Sequence, residues 1–227
     1  QISKDEFDSL IFGKTSVEDF EIEFAKFTNQ KHAIAFPYGR TALYILLNAL
    51  NIRSKEVIVP AYTCVVVPHA IVSSGNKPVF VDCSKNDPNM NFDLVQENIS
   101  EKTKAIIVTS IFGNPINLKK LNKIREKNPE LFVIQDCAHS FLVKSQNQET
   151  HKQGIAAFFG LNFGKMITSI FGGMITTDDD NLALLIREKR DQLLKSDNGL
   201  KSIKRMIYFF IANAALSPFL YRFVHKI

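Results

Sequence analysis

Seven short segments of nearly continuous apolar character, set between stretches of helical periodicity, constrain this 227-residue chain more than any other feature. They are residues 32–36, 56–60, 78–82, 104–110, 131–136, 156–161 and 173–177. A strand exposed on one side alternates polar with apolar residues. These segments do not, so each reads as a strand covered on both faces. Between them, residues 15–28 carry Val17, Phe20, Phe24 and Phe27 at helical spacing, with Thr15 and Glu18 placed as a capping box. Residues 40–50, 63–73, 118–127 and 180–190 read as further helices, and Asp87-Pro88-Asn89 reads as a loop. Strands alternating with helices predict an α/β fold with a mostly parallel seven-stranded sheet and helices on both faces, its last two strands antiparallel.

A chain of this length, 45% hydrophobic and 22% charged, can bury a core without disulfides or metals. Cys64, Cys83 and Cys137 are odd in number and widely spaced, with no Cys-x-x-Cys and no histidine cluster. That predicts neither a disulfide framework nor a metal site, and points to a reducing, cytoplasmic setting. The opening residues lack the layout of a signal peptide. The absent initiating methionine reads as trimming or a fragment.

The net charge is +5, but residues 191–227 hold six Lys and Arg against Asp191 and Asp197 and so supply +4 of it. A nearly neutral body without a nucleic-acid-binding motif argues against a nucleic-acid partner. Residues 206–221 carry no charge and include Phe209, Phe210, Leu216, Phe219 and Leu220. Sixteen residues interrupted by Pro218 fall short of the roughly 20 that span a bilayer. Three readings stay open: a helix over 206–221 buried against another domain or partner, a segment over 201–226 lying at an anionic membrane surface through Lys201, Lys204 and Arg205, and, least favoured by its length, a membrane span.

Three spots lie at or beside the carboxyl ends of strands, where open α/β sheets place their ligands. Pro37-Tyr38-Gly39-Arg40-Thr41 joins a strand to a helix, so its free N–H groups offer an anion site. Taken alone, a glycine there also reads as a plain turn. Asp136 ends the run Phe132-Val133-Ile134-Gln135, where a buried carboxylate needs a cationic partner unless it merely caps a helix. Lys165 sits in Asn162-Phe163-Gly164-Lys165-Met166, followed by Gly172-Gly173. Apolar and small neighbours there favour the neutral amine, the species that forms Schiff bases, although a lysine in such a loop, taken alone, also reads as a solvated surface residue.

The order of these spots resembles a known family. Asp19-Phe20-Glu21-Ile22-Glu23-Phe24-Ala25, Gly39-Arg40-Thr41-Ala42-Leu43 and Val57-Ile58-Val59-Pro60-Ala61-Tyr62-Thr63 are similar to the DegT/DnrJ/StrS aminotransferases. Val79-Phe80-Val81-Asp82, Asp136-Cys137-Ala138-His139-Ser140 and Lys165 with Gly172-Gly173 continue the match in the same order, over roughly residues 15 to 190. The resemblance implies the large domain of a fold-type I pyridoxal 5'-phosphate (PLP) enzyme. Such an enzyme would transfer an amino group from glutamate to a keto sugar, mostly nucleotide-linked, and would act as a homodimer. It further implies a cofactor-binding domain over 1–190, with an N-terminal arm over 1–14. Residues 191–227 would then be a basic, apolar helical segment leading to a small C-terminal domain that this chain lacks.

By the same resemblance Lys165 is the Schiff-base lysine, Asp136 the partner of the ring nitrogen and His139 a hydrogen-bonding partner of the ring hydroxyl. Gly39, Arg40 and Thr41 cradle the phosphate. Two positions depart from the family pattern. Gly160 stands where a phosphate-binding serine is common, leaving Asn162 or backbone to substitute, and Cys64 stands where an aromatic residue often covers the ring, with Tyr62 as another candidate. Sugar dehydration by the same fold is the alternative chemistry, and a catalytically silent scaffold or regulatory protein is the alternative class. Dehydrating relatives carry histidine in place of the lysine, so Lys165 favours transamination.

Overall fold

The computed structural model describes residues 16–169 and 171–194, together with 203, 204, 207, 208, 210, 211, 214 and 215. The expected arm over 1–14, the capping Thr15, and Lys201, Arg205, Arg222 and Lys226 lie outside the described residues. The eight described residues between 203 and 215 are helical, and Ile203, Ile207 and Ile211 among them are exposed. No helix among the described residues is long and apolar enough to cross a membrane.

Val17–Asp191 forms one compact unit. Its elements run α1 (Val17–Phe27), β1 (His32–Phe36), α2 (Gly39–Ala49), β2 (Glu56–Pro60), α3 (Val66–Ser73) and β3 (Lys77–Val81). A short hairpin of β4 (Cys83–Ser84) and β5 (Asp87–Met90) follows, then α4 (Phe92–Asn98), β6 (Thr103–Thr109), α5 (Leu118–Lys127) and β7 (Phe132–Asp136). A second hairpin, β8 (Lys144–Ser145) and β9 (Gln148–Glu149), precedes β10 (Ala156–Gly160), β11 (Gly173–Thr177) and α6 (Asp180–Leu193).

Seven strands form the sheet in the order β1-β11-β10-β7-β6-β2-β3. Neighbours from β10 to β3 are parallel, and only β11 runs against the rest. The unbroken apolar runs are explained by burial on both faces: Val57, Ile58 and Val59 are all fully buried although successive side chains point opposite ways. On one face Ile58, Ile106, Val108 and Val133 pack with Phe92 and Val95 of α4 and Leu118, Leu121 and Ile124 of α5. On the other, α2 packs on the sheet and against α3. Each such Leu, Ile or Val contributes about 1.5–3 kcal/mol by leaving water.

Three expectations need correction. The 63–73 helix begins at Val66. Asp87-Pro88-Asn89 is not a loop, because Asp87–Met90 pairs with Cys83–Ser84. The apolar stripe of α1 is not its buried face: Val17 is 63% and Phe27 60% exposed, while Glu21 is 4% exposed.

The inward glutamate is a clamp. Its Oε1 accepts the Ala35 N–H at 2.7 Å and Arg190 Nη1 at 3.1 Å, and its Oε2 accepts Arg187 Nη1 at 2.6 Å. Two guanidinium groups and one amide offset the desolvation of a single carboxylate, which would otherwise forbid its burial. Helix α1 is therefore oriented by charge as well as by Phe24, the member of the stripe that is buried.

Candidate active site

The strand register sets the floor of the site. Thr109 of β6 lies opposite Asp136 of β7, and Asp136 opposite Phe158 of β10, so all three point from one face near the strands' carboxyl ends. Helix α2 covers that face. Its first residue, Gly39, comes so close to β10 that a Cβ there would lie 3.1 Å from the Gly160 Cα and 3.2 Å from the Phe159 oxygen. Gly173 is tighter still, since its Cβ would lie 2.5 Å from the Gly39 nitrogen. Only glycines allow this helix start to press on the sheet.

The space beneath is a cavity of about 380 Å³. Gly39, Arg40, Cys64, Asp136, His139, Gly160, Asn162 and Lys165 all line it, so residues from four separate segments meet in one place. Thr41, expected beside Gly39 and Arg40, is not among the lining residues. Leu43, Val67, Ile111 and Phe158 give the walls their apolar character.

Asp136 is 4% exposed and accepts the Ala138 N–H at 2.9 Å. Burial raises its pKa to about 6; the Ala138 N–H and the Lys165 charge oppose that rise and only partly offset it. Lys165 is half-buried in a turn closed by its own N–H on the Asn162 oxygen at 2.9 Å. His139 is half-buried, and burial first and Lys165 second lower its pKa, so the imidazole is neutral at neutral pH. A neutral ring offers one N–H and one lone pair.

Helix α2 has no side-chain cap: Tyr38 is extended and makes no capping hydrogen bond. The first-turn amides thus have no side chain to accept from them, as an anion-binding helix start requires. The Arg40 guanidinium carbon sits 4.5 Å over the Tyr38 ring. Cys64 is exposed just before α3, while the Cys137 thiol is buried, which pushes its pKa up.

Beyond the apolar walls, Thr109 and Phe112 also line the cavity and are not among the residues expected from the sequence. Thr109 has its Oγ1 buried without a hydrogen-bond partner, directly across the register from Asp136. Its signal was available, since it ends β6 just as Asp136 ends β7. Phe112 lines the cavity mouth with its ring centroid 5.5 Å from that of His139 and 6.1 Å from that of Tyr62. No local pattern in the sequence marks it.

Comparison with known proteins gives a consistent picture. Residues 6–208 match the DegT/DnrJ/EryC1/StrS aminotransferase family. The GDP-perosamine synthase of Escherichia coli O157:H7 is 33% identical over 73% of this chain and 46% of its own. The GDP-4-keto-6-deoxy-D-mannose 3-dehydratase of Yersinia pseudotuberculosis is 29% identical over 74% and 44%. Among solved structures, the aminotransferase from Psychrobacter cryohalolentis superposes with a TM-score of 0.76 at 28% identity, covering 82% of this chain and 50% of that one. A GDP-4-keto-6-deoxymannose-3-dehydratase with a trapped PLP-glutamate geminal diamine gives 0.70 at 27%, covering 75% and 46%. The chain spans a little under half the length of the curated relatives it matches.

Proposed function

This chain belongs to the DegT/DnrJ/EryC1/StrS aminotransferase family, and on that premise we propose that it is the cofactor-binding part of a PLP enzyme that moves an amino group from glutamate to a nucleotide-linked keto sugar. The observation that carries the proposal is one cavity with a buried carboxylate, Asp136, a primary amine, Lys165, and an uncapped helix start at Gly39–Arg40.

That donor set fits PLP. A carboxylate buried with its pKa raised to about 6 is matched to a cationic ring nitrogen, which would restore its charged form. The unpartnered Thr109 hydroxyl beside it adds a polar group available to a ligand. The uncapped α2 amides and Arg40 suit a phosphate. When bound, PLP supplies an electron sink for the carbon that loses its proton.

The chain's own residues do the rest. Lys165 would hold the cofactor, and its amine would carry the proton that leaves the donor's Cα. Asp136 holds the ring nitrogen in its charged form. His139, kept neutral by burial and by Lys165, hydrogen-bonds the ring hydroxyl. The apolar walls at Leu43, Val67, Ile111 and Phe158 exclude water that would compete for these contacts.

A second reading, sugar dehydration, draws on the similarity to the Yersinia dehydratase. Lysine rather than histidine at position 165 favours transfer. Incubating the PLP-loaded protein with glutamate and a GDP- or dTDP-linked 4-keto-6-deoxyhexose tests the choice. Transfer yields one 2-oxoglutarate for each amino sugar; a keto sugar that has lost a hydroxyl, with no amino sugar, would identify dehydration instead.

Position 160 offers a gain-of-affinity test. A Cβ at Gly160 would meet the Ala138 Cβ at 3.4 Å and the Lys165 Cε at 3.6 Å, which is ordinary contact. A serine therefore fits, and its hydroxyl adds one charge-assisted hydrogen bond to a phosphate held at Gly39–Arg40. Gly160→Ser should tighten PLP about tenfold, in line with roughly 1.5 kcal/mol for such a bond. Unchanged affinity in a spectroscopic titration would remove the phosphate from this corner.

A further inference from the structure

Phe112 is held in a backbone conformation that its own side chain disfavours. Its φ is +52° and ψ 26°, the left-handed region, and Gly113 follows at φ +81°. An L-residue with a bulky side chain is strained there, and asparagine or glycine would be at ease. Core packing does not explain why a phenylalanine occupies it, because the residue is 68% exposed. Strain of this kind, at an exposed aromatic on a cavity rim, points to a ligand.

The rim around it is aromatic. Tyr62, 54% exposed, meets the Phe112 ring edge-on at 64°, and His139 meets it tilted at 55°. Neither stacks on it face to face. The charged groups lining the cavity among the described residues are Arg40, Asp136 and Lys165, all accounted for by the cofactor. A second carboxylate, such as glutamate carries, finds no cation at this rim. A pyranose does find a match: one face of such a ring presents only C–H bonds, which lie well on the negative face of an aromatic ring.

We propose that Phe112 is a substrate-contacting ring, a platform for the apolar face of the acceptor's sugar. The proposal rests on the aminotransferase reading above and extends it by separating the two substrates: the rim receives the amino acceptor and not the amino donor. The left-handed backbone at 112–113 turns the ring outward to do so.

The test uses the chain as it stands, with Phe112→Asn and Phe112→Tyr. GDP-perosamine is the probe, bound to PLP-free protein and observed by saturation-transfer NMR. Its sugar-ring protons should receive saturation from wild type and from Phe112→Tyr. Phe112→Asn should bind about three- to tenfold more weakly, as the loss of one aromatic contact implies. Since asparagine tolerates this backbone, Phe112→Asn should melt no lower than wild type and up to about 4 °C higher. On PLP-loaded protein, the glutamate concentration that half-completes the spectral change should stay within about twofold, a difference below 0.5 kcal/mol. Three results would each overturn the proposal: no saturation of the sugar ring, equal weakening of glutamate and sugar, or a melting point several degrees lower in Phe112→Asn. PLP uptake by wild type keeps the underlying reading separate, because its failure sinks the cofactor assignment while the PLP-free sugar arm still decides the role of Phe112.

Discussion

Lys165→Ala should abolish covalent capture of PLP. Loading the wild-type chain with PLP and reducing with borohydride should fix the cofactor on one peptide, the one containing Lys165. The variant should retain none. The cavity brings a single lysine to the deep carboxylate among the described residues; its other cation, Arg40, has no amine able to condense with an aldehyde. Because Lys165 is half-buried in a loop, truncation should leave the melting point nearly intact. Loss of label will therefore report chemistry and not unfolding. Label on a different lysine, undiminished in Lys165→Ala, would overturn the site.

Asp136→Asn should move stability and cofactor binding in opposite directions. In the PLP-free chain the carboxyl titrates at about 6, raised from 3.8 chiefly by burial. A raised carboxyl pKa means that the folded state holds the proton more tightly than the unfolded state does. Its stabilising contribution is complete below about pH 4 and is lost as pH rises through about 6. Near pH 8 the ionised group thus burdens the fold by up to roughly 3 kcal/mol, at about 1.4 kcal/mol for each tenfold difference in proton affinity between the folded and unfolded states. Asparagine keeps the acceptor for the Ala138 N–H and removes the charge, so the PLP-free variant should melt several degrees higher near pH 8 and nearly equal to wild type near pH 4. PLP affinity should fall by about 2–5 kcal/mol, as when one partner of a buried charge pair is lost. A gain in stability that is the same at both pH values would show that burial of the charge is not its source.

The sheet was legible because its strands had to be apolar on both sides, and each of the seven segments appears as a strand within two residues of its expected ends. What failed was local polarity read without its partner. Asp87-Pro88-Asn89 looks like a loop, yet a two-residue edge pairing with Cys83–Ser84 tolerates proline because no third strand needs its N–H. The stripe on α1 is buried only at Phe24, because Arg187 and Arg190, which draw Glu21 inward, lie far along the chain where no local pattern shows them. Helix α4 is only seven residues long and carries little periodicity of its own, although Asn91 caps it by accepting the Asp93 N–H. In the site, Asp136 and Lys165 stood out by chemistry and order. Phe112 did not, since what distinguishes it is a backbone angle.

The Glu21 clamp also governs when this unit can finish folding. Glu21 and Arg187 are 166 residues apart, and among the described residues β1 pairs only with β11, near the other end of the unit. Contacts so distant in sequence form slowly, and during synthesis they cannot form at all until the later residues exist. At about 5–20 residues per second, α1 and β1 wait roughly 10–30 s after they leave the ribosome. Throughout that interval Glu21 lacks both guanidinium groups of its clamp and β1 lacks the strand it pairs with. The first elements made are thus among the last to be locked, and the nascent chain carries an unpaired strand that a chaperone, or a second nascent copy, can reach before β11 does.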